Sequence, residues 1–211
     1  MRAIPNLSII ALTVVAPPLS SEEPAGVPDA ERQIAAAVSA APEDRRSEAT
    51  VLGYTRDGDL VELRSGANEI ICLADKPGDE RFHVSCYHRS LEPFMVRGRE
   101  LRAQGMGSTE ALSQRHKEAD EGKLALPDSP AALYNLGGAL DTQDPETGAV
   151  TGGNWVWSIY TPYATEISTG LPTTPQAPGA PWIMRPGTAS SHIMVVQPRE
   201  PKPKPEGQEG N

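Results

Sequence analysis

The chain of 211 residues is long enough for a domain with a real hydrophobic core. Only 38% of it is hydrophobic, and 21 prolines and 19 glycines argue against a densely helical enzyme and for a loop-rich domain with polar tails. The formal net charge of −9 argues against nonspecific binding to nucleic acid or to an anionic membrane, because phosphate contact needs a basic surface.

The first 21 residues have the tripartite pattern of a secretory signal peptide. Arg2 provides a short positive region, and an apolar core follows from Leu7 to Ala16. This core is too short to cross a bilayer as a lone helix, so we expect export to the periplasm or the medium and no stable membrane span. A buried strand or an uncleaved anchor is the alternative interpretation.

The rest of the chain is predicted to contain a leader, one domain and a tail. Residues 22–28 form a flexible leader, residues 29–198 a single α+β domain, and residues 199–211 a disordered tail rich in proline, lysine and glutamate. Asp29 can cap a helix over residues 30–41, but the apolar face of this helix is weak and mostly alanine, so we expect it to be peripheral.

Four β segments follow, and we predict that they pair as an antiparallel meander with short connections, within a sheet that is antiparallel and mostly a meander. They lie at residues 49–55, 59–64, 69–73 and 81–87. Asp57-Gly58 between the first two is a strong hairpin signal. In the fourth segment apolar and polar residues alternate, which indicates a strand buried on one face.

An amphipathic helix is predicted after Ser90, with its apolar stripe packed on one face of the sheet. The stripe contains Leu91, Phe94, Met95, Gly98 and Leu101. A second, highly charged helix follows over residues 109–123, and we expect its His116 to be a surface residue.

The C-terminal half is loop-rich, with strands predicted at residues 131–136, 155–160, 182–184 and 192–196. Trp155 and Trp157 alternate with other residues, so both indoles should lie on one sheet face. Burial in a second core is the ordinary explanation; an exposed aromatic platform for a sugar or a peptide is the alternative. Trp182 is the third candidate for ligand binding, and clustering of the three around an open cleft would favour that alternative.

Cys72 and Cys86 are the only cysteines, and a disulfide between them is the expected state in an oxidising compartment. If the hairpin closes symmetrically around residues 75–80, however, Cys72 faces His83 and Cys86 lies on the opposite sheet face. A bulge or a longer loop would restore the disulfide. Buried free thiols are the other possibility.

The same segment offers a candidate metal site. Cys72, His83, Cys86 and His88 are ligand types that zinc and copper use, although their spacing matches no standard zinc signature. Cys72 with His83 could also form a nucleophile–base pair. We predict no cofactor, because neither pattern is specific.

His192 is the remaining candidate. It follows Thr188, Ser190 and Ser191, and with a carboxylate it could act as a base for one of these hydroxyl groups. A hydrogen-bonded structural histidine is the ordinary explanation. The chain contains no Gly-x-Ser-x-Gly elbow, phosphate loop or His-Glu-x-x-His motif, so enzymatic activity stays open.

Two segments resemble a family of uncharacterised exported bacterial proteins. They are PWIM-x-PGT-xxx-HIM at residues 181–194 and CYHRSLEPFM-x-RGRELR at residues 86–102. The resemblance covers about residues 34–196 and implies export and one domain, but it brings no known reaction, cofactor or catalytic residue.

We therefore expect a noncatalytic periplasmic or secreted module that binds an unidentified ligand or an envelope partner. The alternative is a hydrolase or metal-binding protein that uses the Cys72, His83, Cys86 and His88 cluster, or His192. A third class is a structural interaction protein that works through its proline-rich tail.

Overall fold

The structure is a computed structural model that describes residues 26–197. The predicted signal peptide, residues 22–25 of the leader and the tail of residues 199–211 lie outside this range. The helices are Ala30–Val38 (α1), Glu92–Ala103 (α2), Ser108–Asp120 (α3) and Glu166–Thr169 (α4), with short 3-10 turns at Glu43–Arg45, Arg89–Leu91 and Leu140–Thr142. The strands are Thr50–Tyr54 (β1), Leu60–Arg64 (β2), Ile70–Leu73 (β3), Phe82–His88 (β4), Ala131–Gly138 (β5), Asn154–Tyr160 (β6), Trp182–Met184 (β7) and His192–Val196 (β8).

All eight strands join one sheet in the order β2-β1-β3-β4-β5-β6-β8-β7. The α+β class is confirmed, and the Asp57-Gly58 hairpin joins β1 to β2 with Gly58 at a φ of 87°. The purely antiparallel meander is wrong in one respect, because β3 pairs with β1 and runs parallel to it. The sheet is therefore mixed, and the loop-rich C-terminal half supplies four of its strands.

The order of the first strands follows from their polarity. β2 carries Glu62 and Arg64 and none of its residues is buried, which suits an edge, whereas β3 is the apolar run IICL and is buried in the sheet interior. To reach the far side of β1, the chain after β2 crosses the start of β1 at close range. Gly66 permits this crossing, since a Cβ there would overlap the backbone of Thr50.

One sheet face, the α1 face, is partly covered by helix α1. Asp29 caps this helix as predicted, but the helix is not peripheral, because Ala36 and Ala37 are buried against the sheet. Small side chains permit this close approach. Buried Gln33 links α1 to β1 by two hydrogen bonds. Its side-chain amide N–H donates to the carbonyl oxygen of Tyr54, and its side-chain oxygen accepts from the N–H of the same residue.

The opposite face, the α2–α3 face, is covered by helices α2 and α3. The predicted stripe on α2 is confirmed: Leu91, Phe94, Gly98 and Leu101 are buried. Leu91 and the half-buried Met95 pack in a core with residues of the central strands. Helix α3 packs against α2, and its Ala111 is fully buried. The sheet is thus a central layer with helices on both sides.

Candidate functional site

An open groove of about 1360 Å³ lies on the α1 face. Helix α1 packs against β1, β2, β3 and β4, and the groove lies beside it over β5, β6 and β8. The floor of the groove consists of side chains from these three strands: Ala132, Tyr134, Leu136, Trp155, Trp157, Ile159 and Val195. The segment after α1 and the turns at residues 139–142 and 150–153 form its walls.

Trp157 is the most prominent residue of the groove floor, with 40% of its surface exposed. The ring of Tyr134 meets its indole edge to face, with the ring centres 6.1 Å apart and the planes at 86°. Trp155 lies on the same sheet face, as strand alternation predicted, and Ile159 extends the apolar floor with 37% exposure. Such a surface offers flat apolar stacking area to a ligand.

The groove wall carries groups that can hydrogen-bond to a ligand. Arg46, Arg81, Asp141 and Asn154 line it, with Gln197 at the end of β8. Gln197 donates its backbone N–H to the carbonyl oxygen of Trp155 over 3.1 Å, so the chain leaves the sheet beside the groove.

Trp182 does not join the other two tryptophans. It pairs with Met194 across β7 and β8, whereas Val195, the next residue of β8, faces the groove. Because side chains alternate along a strand, Trp182 lies on the α2–α3 face. The three tryptophans therefore do not cluster around one cleft, and the groove contains two of them.

Cys72 and Cys86 form a disulfide with their Cα atoms 4.0 Å apart. The register places these two residues directly opposite each other, so the expected pairing of Cys72 with His83 is wrong. The hairpin closes asymmetrically, because Ala74 donates to the carbonyl oxygen of Leu52 in β1 and a longer loop follows. The bridge lies in the core on the α1 face, and both cysteines are fully buried.

The structure does not assemble the candidate metal set. Both sulfurs are bonded to each other, so neither is a thiolate ligand or nucleophile. His83 is exposed and alternates with Cys86, which places its side chain on the other sheet face. His88 accepts a hydrogen bond at Nδ1 from the N–H of Ser90 and so begins the 3-10 turn before α2. Residues 26–197 contain no group of three or more metal-ligating side chains at binding geometry.

His192 is buried, and it does not contact a serine hydroxyl group. Its Nδ1 donates to the backbone carbonyl oxygen of Ser190 at 2.7 Å, and its ring stacks on Tyr160 with centres 5.0 Å apart. Burial lowers the pKa of His192, so the ring is neutral at physiological pH. This geometry matches the structural role that the sequence also allowed.

His116 makes the contact that was expected of His192. Its Nε2 is hydrogen-bonded to the hydroxyl group of Ser190, 2.7 Å away, and the residue is half-buried and not freely exposed. Ser190 is completely buried, so its hydroxyl group is closed to a substrate in this arrangement. His116 lies three residues before the buried Ala119 on α3, and this helical spacing was a signal for its inward position.

Comparison of the chain with protein-family models, with curated proteins and with solved structures gives no match. Over residues 26–197, none of the helices has the length and apolar character needed to cross a membrane. Function is therefore inferred from the groove and the buried clusters themselves.

Proposed function

We propose that this chain is a noncatalytic binding module of an exported bacterial protein, periplasmic or secreted, and that the groove on the α1 face is its ligand surface. The observation that carries the proposal is the exposed Trp157, held edge to face by Tyr134 at the centre of an open groove. Aromatic residues dominate the energetics of binding surfaces, and large exposed aromatic side chains in a concave surface favour ligand contact.

Export is supported by two features. The N-terminal residues have the pattern of a signal peptide. The disulfide between Cys72 and Cys86 suits an oxidising compartment, since cytosolic proteins keep their thiols reduced.

The absence of a catalytic role is supported by the chemistry of the groove. Among the described residues that line it there is neither histidine nor cysteine, and Asp141 provides the one carboxylate. The serine–histidine contacts of the described residues, Ser190 with His116 and Ser90 with His88, lie outside the groove. The groove thus offers stacking and hydrogen bonding without a paired acid and base.

The ligand class we propose is an extended, proline-rich polypeptide. Proline-rich segments adopt a preformed extended helix and dock in aromatic-lined grooves at low entropic cost. A segment of this class begins at the groove itself: Gln197 lines the wall and is followed by Pro198, Pro201, Pro203 and Pro205. Eight residues in this helix span about 25 Å, similar to the roughly 23 Å length of a seven-residue strand such as β6. The occupant we assign is therefore residues 198–205 of the chain itself.

The test uses the full chain with all four of these prolines replaced by alanine, which leaves the groove free for a peptide added in solution. A peptide with the sequence of residues 198–207 is titrated while tryptophan fluorescence is followed. We expect saturable binding, and no binding of the same peptide with alanine at every proline. Trp157→Ala should weaken binding at least about thirtyfold, as expected for an aromatic hot spot.

Trp182→Ala is the matched control, because it removes a tryptophan from the opposite face. Equal binding by the Trp157→Ala variant would refute the groove as the site. A soluble glycan that competes through Trp157, together with no response to the peptide, would refute the ligand class and replace it with carbohydrate. No response to either ligand would overturn the proposal.

A further inference from the structure

Ser190 lies between two histidines on the α2–α3 face, outside the groove. Its hydroxyl group contacts Nε2 of His116 on helix α3, and its carbonyl oxygen accepts a hydrogen bond from Nδ1 of His192 on β8. We propose that the His116–Ser190 contact is an acid-sensitive switch, which holds α3 to the turn of residues 185–191 at neutral pH and releases it when His116 is protonated. The inference does not depend on the function proposed for the groove, because it concerns the opposite face of the sheet.

The hydroxyl group of Ser190 determines which form of His116 fits this contact. Ser190 is completely buried, and within residues 26–197 Nε2 of His116 is the one hydrogen-bond partner of its hydroxyl group, 2.7 Å away. A buried O–H donor without an acceptor is costly, so the hydroxyl group donates and Nε2 accepts, which requires the neutral ring with its proton on Nδ1. Protonation places a hydrogen on Nε2 as well. The buried hydroxyl group then loses its acceptor, and the contact is no longer favourable.

His192 does not respond to acid in the same way. Its Nδ1 donates to the carbonyl oxygen of Ser190 in the neutral and in the protonated form, so protonation does not remove this bond. Its ring is only 5% exposed and stacks on Tyr160. Burial lowers the pKa of His192 and raises that of Tyr160, so neither carries a charge at neutral pH. His116 is half-buried and within reach of solvent, and it is therefore the residue that senses pH.

Helix α3 is held to this side of the molecule by few polar contacts. Its main packing partner is α2. Towards the strands and their connecting turns, the described side chains of α3 make two hydrogen bonds, His116 with Ser190 and Asp120 with the hydroxyl group of Tyr163. The second of these bonds is exposed, so water can replace either partner at little cost. Loss of the His116 bond therefore leaves the C-terminal half of α3 attached mainly through α2.

The turn that carries Ser190 is fixed independently of α3. The hydroxyl group of Ser191 and the N–H of Gly187 both donate to the carbonyl oxygen of Ala164, over 2.9 and 2.7 Å. These bonds contain no group that titrates near neutral pH. Protonation of His116 is therefore expected to loosen α3 and to leave the turn in position.

The charged groups around His116 come from α3 and from the turn. Burial is the main cause that lowers the pKa of His116; the charge of Arg185 in the turn lowers it further, that of Asp120 raises it, and that of Arg115 lowers it. The net direction is downward, in agreement with the acceptor role of Nε2. A released histidine has its ordinary pKa of about 6.5, so acid favours the released state. Between pH 7.5 and pH 5.0 this shifts the equilibrium towards release by up to about thirtyfold.

The test measures amide hydrogen exchange of the full chain at pH 7.5 and pH 5.0, corrected for the intrinsic exchange rate at each pH. We expect peptides from residues 115–123 to lose about tenfold or more of their protection at pH 5.0, while peptides from β4 and β5 keep theirs. His116→Gln should abolish this pH dependence, because its side-chain oxygen can accept the same hydrogen bond and does not titrate. His83→Asn is the matched control: it removes an exposed histidine and should retain the native pH dependence.

Titration of the His116 ring by NMR reads the contact in the unmodified chain. A pKa below about 6.5, with loss of protection over the same pH range, supports the switch, and a pKa at or above that value overturns it. The proposal is also overturned if residues 115–123 keep their protection at pH 5.0, if β4 and β5 lose theirs equally, or if His83→Asn abolishes the effect as His116→Gln does. A His116→Gln chain that loses protection in acid as the native chain does overturns it as well.

Ser190→Ala provides a second variant should circular dichroism show that His116→Gln does not fold. Without the hydroxyl group the contact is absent at both pH values, so residues 115–123 should exchange fast at pH 7.5 and no faster at pH 5.0. Native protection at pH 7.5, or a pH dependence that persists in this variant, would overturn the proposal.

Discussion

Reduction of the Cys72–Cys86 disulfide is the perturbation whose effect on stability follows most directly from the structure. The bridge links the adjacent central strands β3 and β4, and the two cysteines are 14 positions apart. Closing a loop of this size in the unfolded chain is worth about 3 kcal/mol in the chain-entropy account. For a domain of this size that loss lowers the melting temperature by roughly 6–12 °C.

The assay compares urea unfolding of the oxidised protein with that of the same protein reduced in denaturant and refolded with reductant. Denaturant is needed because both cysteines are fully buried and a reductant cannot reach them in the folded state. Reduction leaves the core volume almost unchanged, so the difference isolates the covalent link. The Cys72→Ala/Cys86→Ala variant should lose more stability, because it also leaves a cavity.

Two outcomes would refute this reasoning. Two thiols that titrate in denaturant without prior reduction, in protein purified from an oxidising compartment, would show that the bridge is not formed. An unfolding free energy that falls by less than about 1 kcal/mol on complete reduction would show that the loop entropy does not govern stability here.

Two further predictions concern polar contacts of the helices. Gln33→Ala should lower the unfolding free energy by about 2–3 kcal/mol in urea titration, since it leaves the N–H and carbonyl of Tyr54 buried without partners; an unchanged midpoint would contradict this. Hydrogen bonds from Arg97 lower the pKa of Glu118 to about 2. Because this pKa is below its unfolded value, the stabilisation is present above about pH 4.5 and is lost towards pH 2. The stability advantage of the native protein over Arg97→Met should therefore shrink as pH falls through that window, and a pH-independent difference would contradict the assignment.

The local features of the fold could be predicted because they depend on neighbouring residues. Alternation identified β4, the Asp57-Gly58 turn identified the first hairpin, and the apolar stripe around Phe94 identified α2. The placement of β2 at the edge was missed, because strand order depends on which distant surfaces compete for burial. The signal was present in the charged face of β2 and in Gly66, which permits the crossing.

For the site residues too, features that depend on local spacing could be predicted, whereas features that depend on distant contacts could not. That Trp155 and Trp157 share one face followed from their spacing alone. The contact of His116 with Ser190 could not be derived, since it joins residues 74 positions apart on a helix and a turn. The disulfide was left open because its register depends on how the loop after β3 closes, which the two cysteines do not encode.

The existence of the groove follows from the lengths of the covering helices. Neighbouring strands lie about 4.8 Å apart, so the eight strands span roughly 34 Å across the sheet. Helix α1 has nine residues and a length of about 14 Å, so even laid straight across the strands it spans about three strand spacings and reaches about four strands. Helices α2 and α3, with 12 and 13 residues, are longer and pack side by side on the other face.

Helix α1 is therefore too short to cover the α1 face over β5, β6 and β8. The residues that the sequence places there are Tyr134, Trp155, Trp157, Ile159 and Val195. A sheet face left open only to solvent would be expected to carry polar side chains, as one face of the edge strand β2 does with Glu62 and Arg64. Aromatic and β-branched residues at these positions instead favour a surface that is covered in use, as the ligand surface proposed above requires.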